Sequence, residues 1–177
     1  HAILSALDIT DAVTHTEMRL SSSGPKLIET HTRMGGDYIH ILTEETTGVD
    51  LGEIHVALAL GEKPDVRPGI ASRGAAVRFM SGRAGRVVSI DLPAVDVAKG
   101  IHDARSYVKV GMVTSGRSAS LDRFGHVLAV GASRAEADRI ADQAVAECRF
   151  VVETPERAAS TFQAPQLEPA LLAEATA

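Results

Sequence analysis

Tryptophan is absent from this 177-residue chain, and two tyrosines and four phenylalanines bring the aromatic share to only 3%. The single cysteine, Cys148, excludes an internal disulfide framework and suits a reducing compartment, so a cytoplasmic location is expected. No run of 18 apolar residues occurs, which excludes a helical membrane span. A net charge of -5 argues against nucleic acid as the main partner. The stretch Gly111 to Ser118 has the composition of a phosphate loop but lacks the Gly-Lys-Ser/Thr ending, so it reads as a turn between strands. No signal peptide is visible. An initiating methionine is missing too, and the chain opens inside what reads as the end of a helix carrying Ile3, Leu4 and Leu7. The expectation is a fragment of a longer protein, holding one or two domains.

What the sequence does have is concentrated near its start. Two alternating runs, Ala12 to Leu20 and Lys26 to Arg33, are joined by Ser21-Ser22-Ser23-Gly24-Pro25. Val13, His15, Glu17 and Arg19 share one face of the first run; Leu27, Glu29, His31 and Arg33 share one face of the second. Period-two alternation reads as strands, and a three-residue loop Ser22 to Gly24, with Gly24 left-handed, is a favoured hairpin connection. That register sets Glu17 opposite Glu29 and His15 opposite His31. Like charges directly opposed on a sheet destabilise it, so the pair calls for a cation between the carboxylates or for a shared proton. Two carboxylates with an open side are how a protein holds magnesium while phosphate oxygens complete the shell. The plain alternative is a pair of glutamates on a solvated face. His15 and His31 also permit a zinc reading, although histidine on a polar sheet face is more often a hydrogen-bonding neighbour. Arg33 follows Glu29 by four residues on the same face, and Gly35-Gly36 lets backbone amides approach an anion. Asp37 can cap the next helix, whose N-terminus is itself an anion site.

At this point the sequence resembles the ATP-grasp family of carboxylate–amine ligases. The resemblance is carried by His15-Thr16-Glu17, Gly24-Pro25-Lys26-Leu27-Ile28-Glu29, Arg33-Met34-Gly35-Gly36 and Thr47-Gly48-Val49-Asp50-Leu51. Among the family's branches it is most similar to the bacterial L-amino-acid ligases. The resemblance implies that Glu17 and Glu29 bind magnesium, with manganese as a substitute, and that Arg33 contacts the γ-phosphate of ATP and the acyl-phosphate. It implies that Gly35, Gly36 and Asp37 border the acyl-phosphate and the incoming amine. Many members carry asparagine two residues after the second glutamate as a further ligand; here that position is His31, which leaves a third protein ligand open. The implied substrates are a small carboxylate and a small amine. The implied partner is the N-terminal portion of the same ligase, and a homodimer is compatible with it. The non-catalytic alternative is an assembly module that supplies an oligomer interface and half of a nucleotide site.

The rest of the chain gives the organisation. Residues 37–47 read as a helix stopped by Gly48, and Asp50 to Glu53 as a capping box for a second helix ending at Gly61. Lys63 to Pro68 reads as a linker, and residues 70–131 as several short strands. Ser133 to Glu136 caps a helix with Ala137, Ile140, Ala141, Ala144, Val145 and Cys148 on its buried stripe, and Phe150 to Val152 closes a sheet. His40, His55, His102 and His126 read as structural, and Lys109, Arg117 and Arg123 as ordinary solvated charges. The expected class is α+β: residues 1–62 as the C-terminal half of an ATP-grasp core, 63–152 as a β-rich domain with a packing helix, and 153–177 as a flexible tail.

Overall fold

A computed structural model describes residues 2–67, 69, 73–116 and 120–154. The expected tail lies almost entirely outside the described residues, as do Arg117 and Pro68. A short helix α1 (Ala2–Ala6) leads to the hairpin formed by β1 (His15–Ser21) and β2 (Gly24–His31). The strands pair antiparallel with Glu17 opposite Glu29 and His15 opposite His31, as the alternation predicts. The route to that register differs from the expected one. The connection is shorter, because Ser21 already pairs with Gly24, and a bulge between Glu17 and Met18 absorbs the extra residue. The two one-residue changes cancel, so the carboxylates still meet. The second strand also stops at His31 rather than Arg33.

Helix α2 (Ile39–Thr47) follows, then α3 (Leu51–Ala59). Gly48 ends α2 at φ 73°, and the Asp50 carboxylate accepts the amides of Gly52 and Glu53 to start α3, both as the capping signals predict. The start of α2 is different. Tyr38, not Asp37, is its N-cap, and no side chain caps the helix there. Asp37 and Tyr38 are both left-handed, at φ 53° and 64°.

The C-terminal part is built from two antiparallel sheets and one helix. β3 (Gly74–Ser81), β7 (Arg123–Gly131) and β5 (Ile101–Ser106) form one sheet in the order β3-β7-β5. β4 (Gly85–Asp91), β6 (Val113–Thr114) and β8 (Arg149–Glu153) form the other in the order β6-β4-β8. The glycine-rich alternation over 70–131 is thus a set of short strands, as expected. Helix α4 (Arg134–Glu147) lies on β3 and β7, with Ser133 accepting the Glu136 amide at its start. The contact is made by small residues, Ala76 and Ala129 from the sheet against Ala137 and Ala141 from the helix. Arg78 clamps the same contact, donating to Asp138 at 2.8 Å and Asp142 at 2.7 Å, one turn apart on α4. A second cluster, Met80, Val87, Val108 and Phe124, fills the space between the two sheets.

The two parts of the chain are joined at the start of α2. The Asp37 carboxylate accepts both terminal nitrogens of Arg123, on β7, and the Arg123 guanidinium lies 3.8 Å over the Phe79 ring on β3. The Tyr38 ring sits 4.2 Å from the imidazole of His126. Glu45, on α2, accepts from His102 on β5 at 3.1 Å and pairs with Arg73 at 3.0 Å. Arg123 is therefore not an ordinary solvated charge.

His126 is the most consequential buried polar group, with no exposed surface at all. Its Nε2 faces Asp103 at 3.1 Å and its Nδ1 faces the Tyr107 hydroxyl at 2.8 Å. A carboxylate can only accept, so Nε2 carries the proton and Nδ1 accepts from Tyr107. Burial pushes the imidazole below its usual 6.5, against the opposing pull of Asp103. Above about pH 6.5 the ring is neutral whether folded or unfolded, and the network is intact. Below that value the unfolded chain takes up a proton that the folded chain refuses, so stability falls until the lowered folded pKa is passed. Chemical denaturation across pH 7.5 to 5.5 should show this decline. His126→Gln, which cannot charge, should cost about 1–3 kcal/mol at neutral pH and flatten the acid limb. An acid limb as steep in the variant as in the parent would detach it from His126.

Candidate functional site

The hairpin brings the predicted residues together. Glu17 and Glu29 face each other across β1 and β2, and each carboxylate meets the histidine two residues away: Glu17 with His15 at 3.1 Å, Glu29 with His31 at 3.2 Å. About half of each glutamate side chain remains exposed, at 51% and 47%. Side-chain ligand atoms of His15, Glu17 and Glu29 all lie within 4.8 Å of one another. Two carboxylate oxygens and one imidazole nitrogen, open to solvent on the remaining side, fit a divalent cation that draws the rest of its shell from other molecules. His31, the position left open by the sequence, is not in that group; His15 is. Among the described residues, the two histidines are the ion-pair partners found for these carboxylates.

Past the strand the chain bends. Arg33 lies beyond β2, so strand alternation does not place it on the face of Glu29. Its guanidinium donates to the Met34 carbonyl at 2.9 Å and forms no ion pair with another described residue. Gly35 is buried, and a Cβ there would meet His15 Nδ1 at 2.9 Å and Ile39 Cβ at 3.1 Å. The imidazole of His15 is thus packed against the glycine backbone on one side and turned toward Glu17 on the other. Gly36 is exposed, with open space around it, and its carbonyl accepts the Ile39 amide at 2.9 Å.

Asp37 does not cap α2 because its carboxylate is taken by Arg123. The hydrogen bonds from that guanidinium hold the Asp37 carboxyl below the usual carboxylate range, with burial opposing them. The pairing leaves the first amides of α2 without a side-chain cap. Beside this pair lies a recess of about 390 Å³ lined by Asp37, Tyr38, His40, Phe79, Tyr107 and Arg123, with Ser120 at its edge. Burial, then the nearby Tyr38 hydroxyl, keeps the Tyr107 phenol protonated far above its ordinary range. Sequence reasoning found Asp37 but missed Arg123, Tyr38 and Tyr107. The available signal was scarcity: both tyrosines of the chain converge on His126.

The L-amino acid ligase C-terminal domain 2 family matches residues 78–153. A curated relative, the uncharacterized protein y4rH of Sinorhizobium fredii (strain NBRC 101917 / NGR234), is 31% identical over 143 residues, covering 80% of this chain and 30% of the relative. Carnosine synthase 1 of Homo sapiens is 39% identical over 70 residues, 40% of this chain and 8% of that protein. The chain therefore spans less than a third of the curated relatives it matches. Among solved structures, L-amino acid ligase from Bacillus licheniformis superposes with a TM-score of 0.67 at 21% identity, over 85% of this chain and 38% of that one. Phosphoribosylglycinamide synthetase from Anaerococcus prevotii gives a TM-score of 0.75 at 16% identity, over 85% and 39%. These structures establish the fold. Among the described residues no helix is long and apolar enough to cross a membrane. Residues 78–153 thus match the L-amino acid ligase C-terminal domain 2 family, and the chain has the fold of the corresponding parts of these ligase and synthetase structures.

Proposed function

We propose that this chain supplies the metal-binding carboxylates and the phosphate-facing arginine of an ATP-dependent carboxylate–amine ligase that joins amino acids through an acyl-phosphate. The observation that carries the reading is the register of Glu17 against Glu29, a like-charge pair that makes physical sense around a cation. The name of the matched family, L-amino acid ligase, supports amino acids as the substrate class. The exposed apolar residues of the hairpin, Leu20, Leu27 and Ile28 among them, support a partner surface in the rest of a longer ligase. A cytoplasmic setting goes with this reading, since ATP is the co-substrate.

In the reaction, an oxygen of the substrate carboxylate attacks the γ-phosphorus of ATP and the bond to the β-phosphate oxygen breaks. ADP leaves with that electron pair. The amine then attacks the carbonyl carbon, the carbon–oxygen bond to phosphate breaks, and the amide forms as a proton is lost from nitrogen. Magnesium or manganese on Glu17 and Glu29, when bound, neutralises charge on the phosphate oxygens. Arg33, which has no carboxylate partner among the described residues, swings to the transferring phosphoryl group and stabilises the charge spread over its oxygens. Gly36, exposed with open space around it, lets the acyl-phosphate approach the backbone, the buried Gly35 borders it, and the uncapped start of α2 adds its dipole. Asp37, kept ionised by Arg123, borders the incoming amine. No covalent nucleophile is needed, so positioning and electrostatics carry the catalysis.

Glu17→Gln and Glu29→Gln in the full-length ligase should each lower turnover by orders of magnitude with the melting temperature held or raised, because the mutual repulsion is relieved. Near-normal turnover of both at low magnesium would make the pair structural. The 177-residue chain by itself should not ligate, and adding the remainder of the ligase should restore amide formation; ATP-dependent ligation by the chain alone would contradict this. Arg33→Lys keeps the charge but loses the planar fork, so kcat should fall on the order of a hundredfold, about 3 kcal/mol, with little change in the KM for ATP. His31→Ala should cost much less, and steady-state kinetics on the two variants decide between them.

A further inference from the structure

The sequence directs attention to His31 as the histidine that could join the metal site. The three-dimensional arrangement directs it to His15. We propose that His15 is a third protein ligand, through Nε2, and that the site consequently takes a nitrogen-accepting first-row divalent ion, manganese(II) being the probe of choice, in preference to magnesium. This rests on the metal reading of Glu17 and Glu29 given above.

Three observations carry it. First, the ligand atoms of His15, Glu17 and Glu29 are mutually within 4.8 Å, with His15 Nε2 3.1 Å from a Glu17 oxygen. Two ligands bound at about 2.1 Å can be at most about 4.2 Å apart. Small side-chain rotations are enough to bring all three onto one ion. Second, the His15 ring is set in place before any ion arrives. Its side chain is only 15% exposed, against 38% for His31. Gly35 packs against its Nδ1 edge so closely that a single added methyl group would sit 2.9 Å from that nitrogen. With Nδ1 at the Gly35 backbone, Nε2 is the nitrogen directed toward the carboxylates. A ring with one orientation loses little freedom on ligation. Third, the chemistry is selective. Magnesium prefers oxygen, demands near-ideal octahedral geometry and gives up water reluctantly. First-row divalent ions accept imidazole nitrogen more readily than magnesium does, manganese(II) being the weakest of that series and the one that also suits carboxylates. A site with one committed nitrogen donor therefore discriminates by ligand type, while the open side still admits phosphate oxygens.

The arrangement also links the ion to the anion-facing turn. Gly35 belongs to the turn that would meet the acyl-phosphate, and His15 is the side chain that touches it from the hairpin.

The test is manganese binding to the chain, read by electron paramagnetic resonance, with spin-echo modulation reporting directly bound nitrogen. The parent and His31→Ala should both show ¹⁴N coupling to manganese. His15→Ala should lose the coupling and at least about tenfold in manganese affinity. His15→Asn, which offers an amide oxygen in nearly the same volume, should recover part of the affinity without the imidazole ¹⁴N signature. The magnesium concentration needed to displace manganese should fall in His15→Ala. Coupling that survives in His15→Ala, or that disappears only in His31→Ala, overturns the assignment. If the parent binds manganese through Glu17 and Glu29 with no nitrogen coupling, His15 is not a ligand although the carboxylate pair stands. If Glu17→Gln leaves manganese binding unchanged, the metal reading itself falls.

Discussion

The turn between the hairpin and α2 depends on one constraint: two consecutive non-glycine residues, Asp37 and Tyr38, held in the left-handed region. Such residues cost on the order of 1–3 kcal/mol each and persist only where the surroundings fix them. Here the surroundings are the C-terminal sheet. Arg123 grips the Asp37 carboxylate from β7, and His126 and Phe79 receive the Tyr38 ring. Without that sheet nothing holds the turn, and without the turn Gly35 would not sit against His15. A sheet that, among the described residues, contributes no side chain to the glutamate pair thereby sets the geometry beside it.

The same logic explains where the few aromatic rings are. A chain with 3% aromatics cannot spread them through its core, and its helix–sheet contact is made of alanines instead. Tyr38, Phe79 and Tyr107 gather around one buried histidine, where flat rings and a few polar atoms give a single geometry rather than a loosely packed one. Phe124 and Phe150 meet edge to face in the second cluster, between the two sheets. The recess beside Arg123 is lined by the first group, so its shape depends on His126 staying neutral and bonded to both Tyr107 and Asp103.

How much of this was legible in the sequence follows from the range of each interaction. Alternation over a few residues exposed both strands and the meeting of Glu17 with Glu29, even though the expected loop was one residue too long and the bulge at Glu17 was invisible. The caps at Asp50 and Ser133 were equally local and equally readable. Asp37 misled because a carboxylate ahead of a helix ordinarily caps it, and its actual partner lies 86 residues away. The same separation hid Arg123, which looked like a surface charge because nothing near it in sequence is acidic enough to explain it except Asp122. His15 and His31 were indistinguishable by alternation, since both sit opposite each other on one register; only the packing of Gly35 separates them.

The hairpin is the least self-sufficient part of the structure. Among the described residues it is a sheet of two strands, and isolated hairpins of that kind are marginal in water. Met18, Leu20, Leu27 and Ile28 are largely exposed, so apolar burial contributes little to its pairing as it stands. The opposed glutamates subtract further from it. What favours the register instead is the cross-strand Thr16–Thr30 hydrogen bond at 2.8 Å and the anchoring of His15 by Gly35. A bound cation would reverse the sign of the largest unfavourable contribution, turning two repelling carboxylates into ligands of one charge. On the proposed metal reading, ion binding and hairpin order would be the same event seen from two sides: the strands in register would hold the ion, and the ion would hold the strands in register.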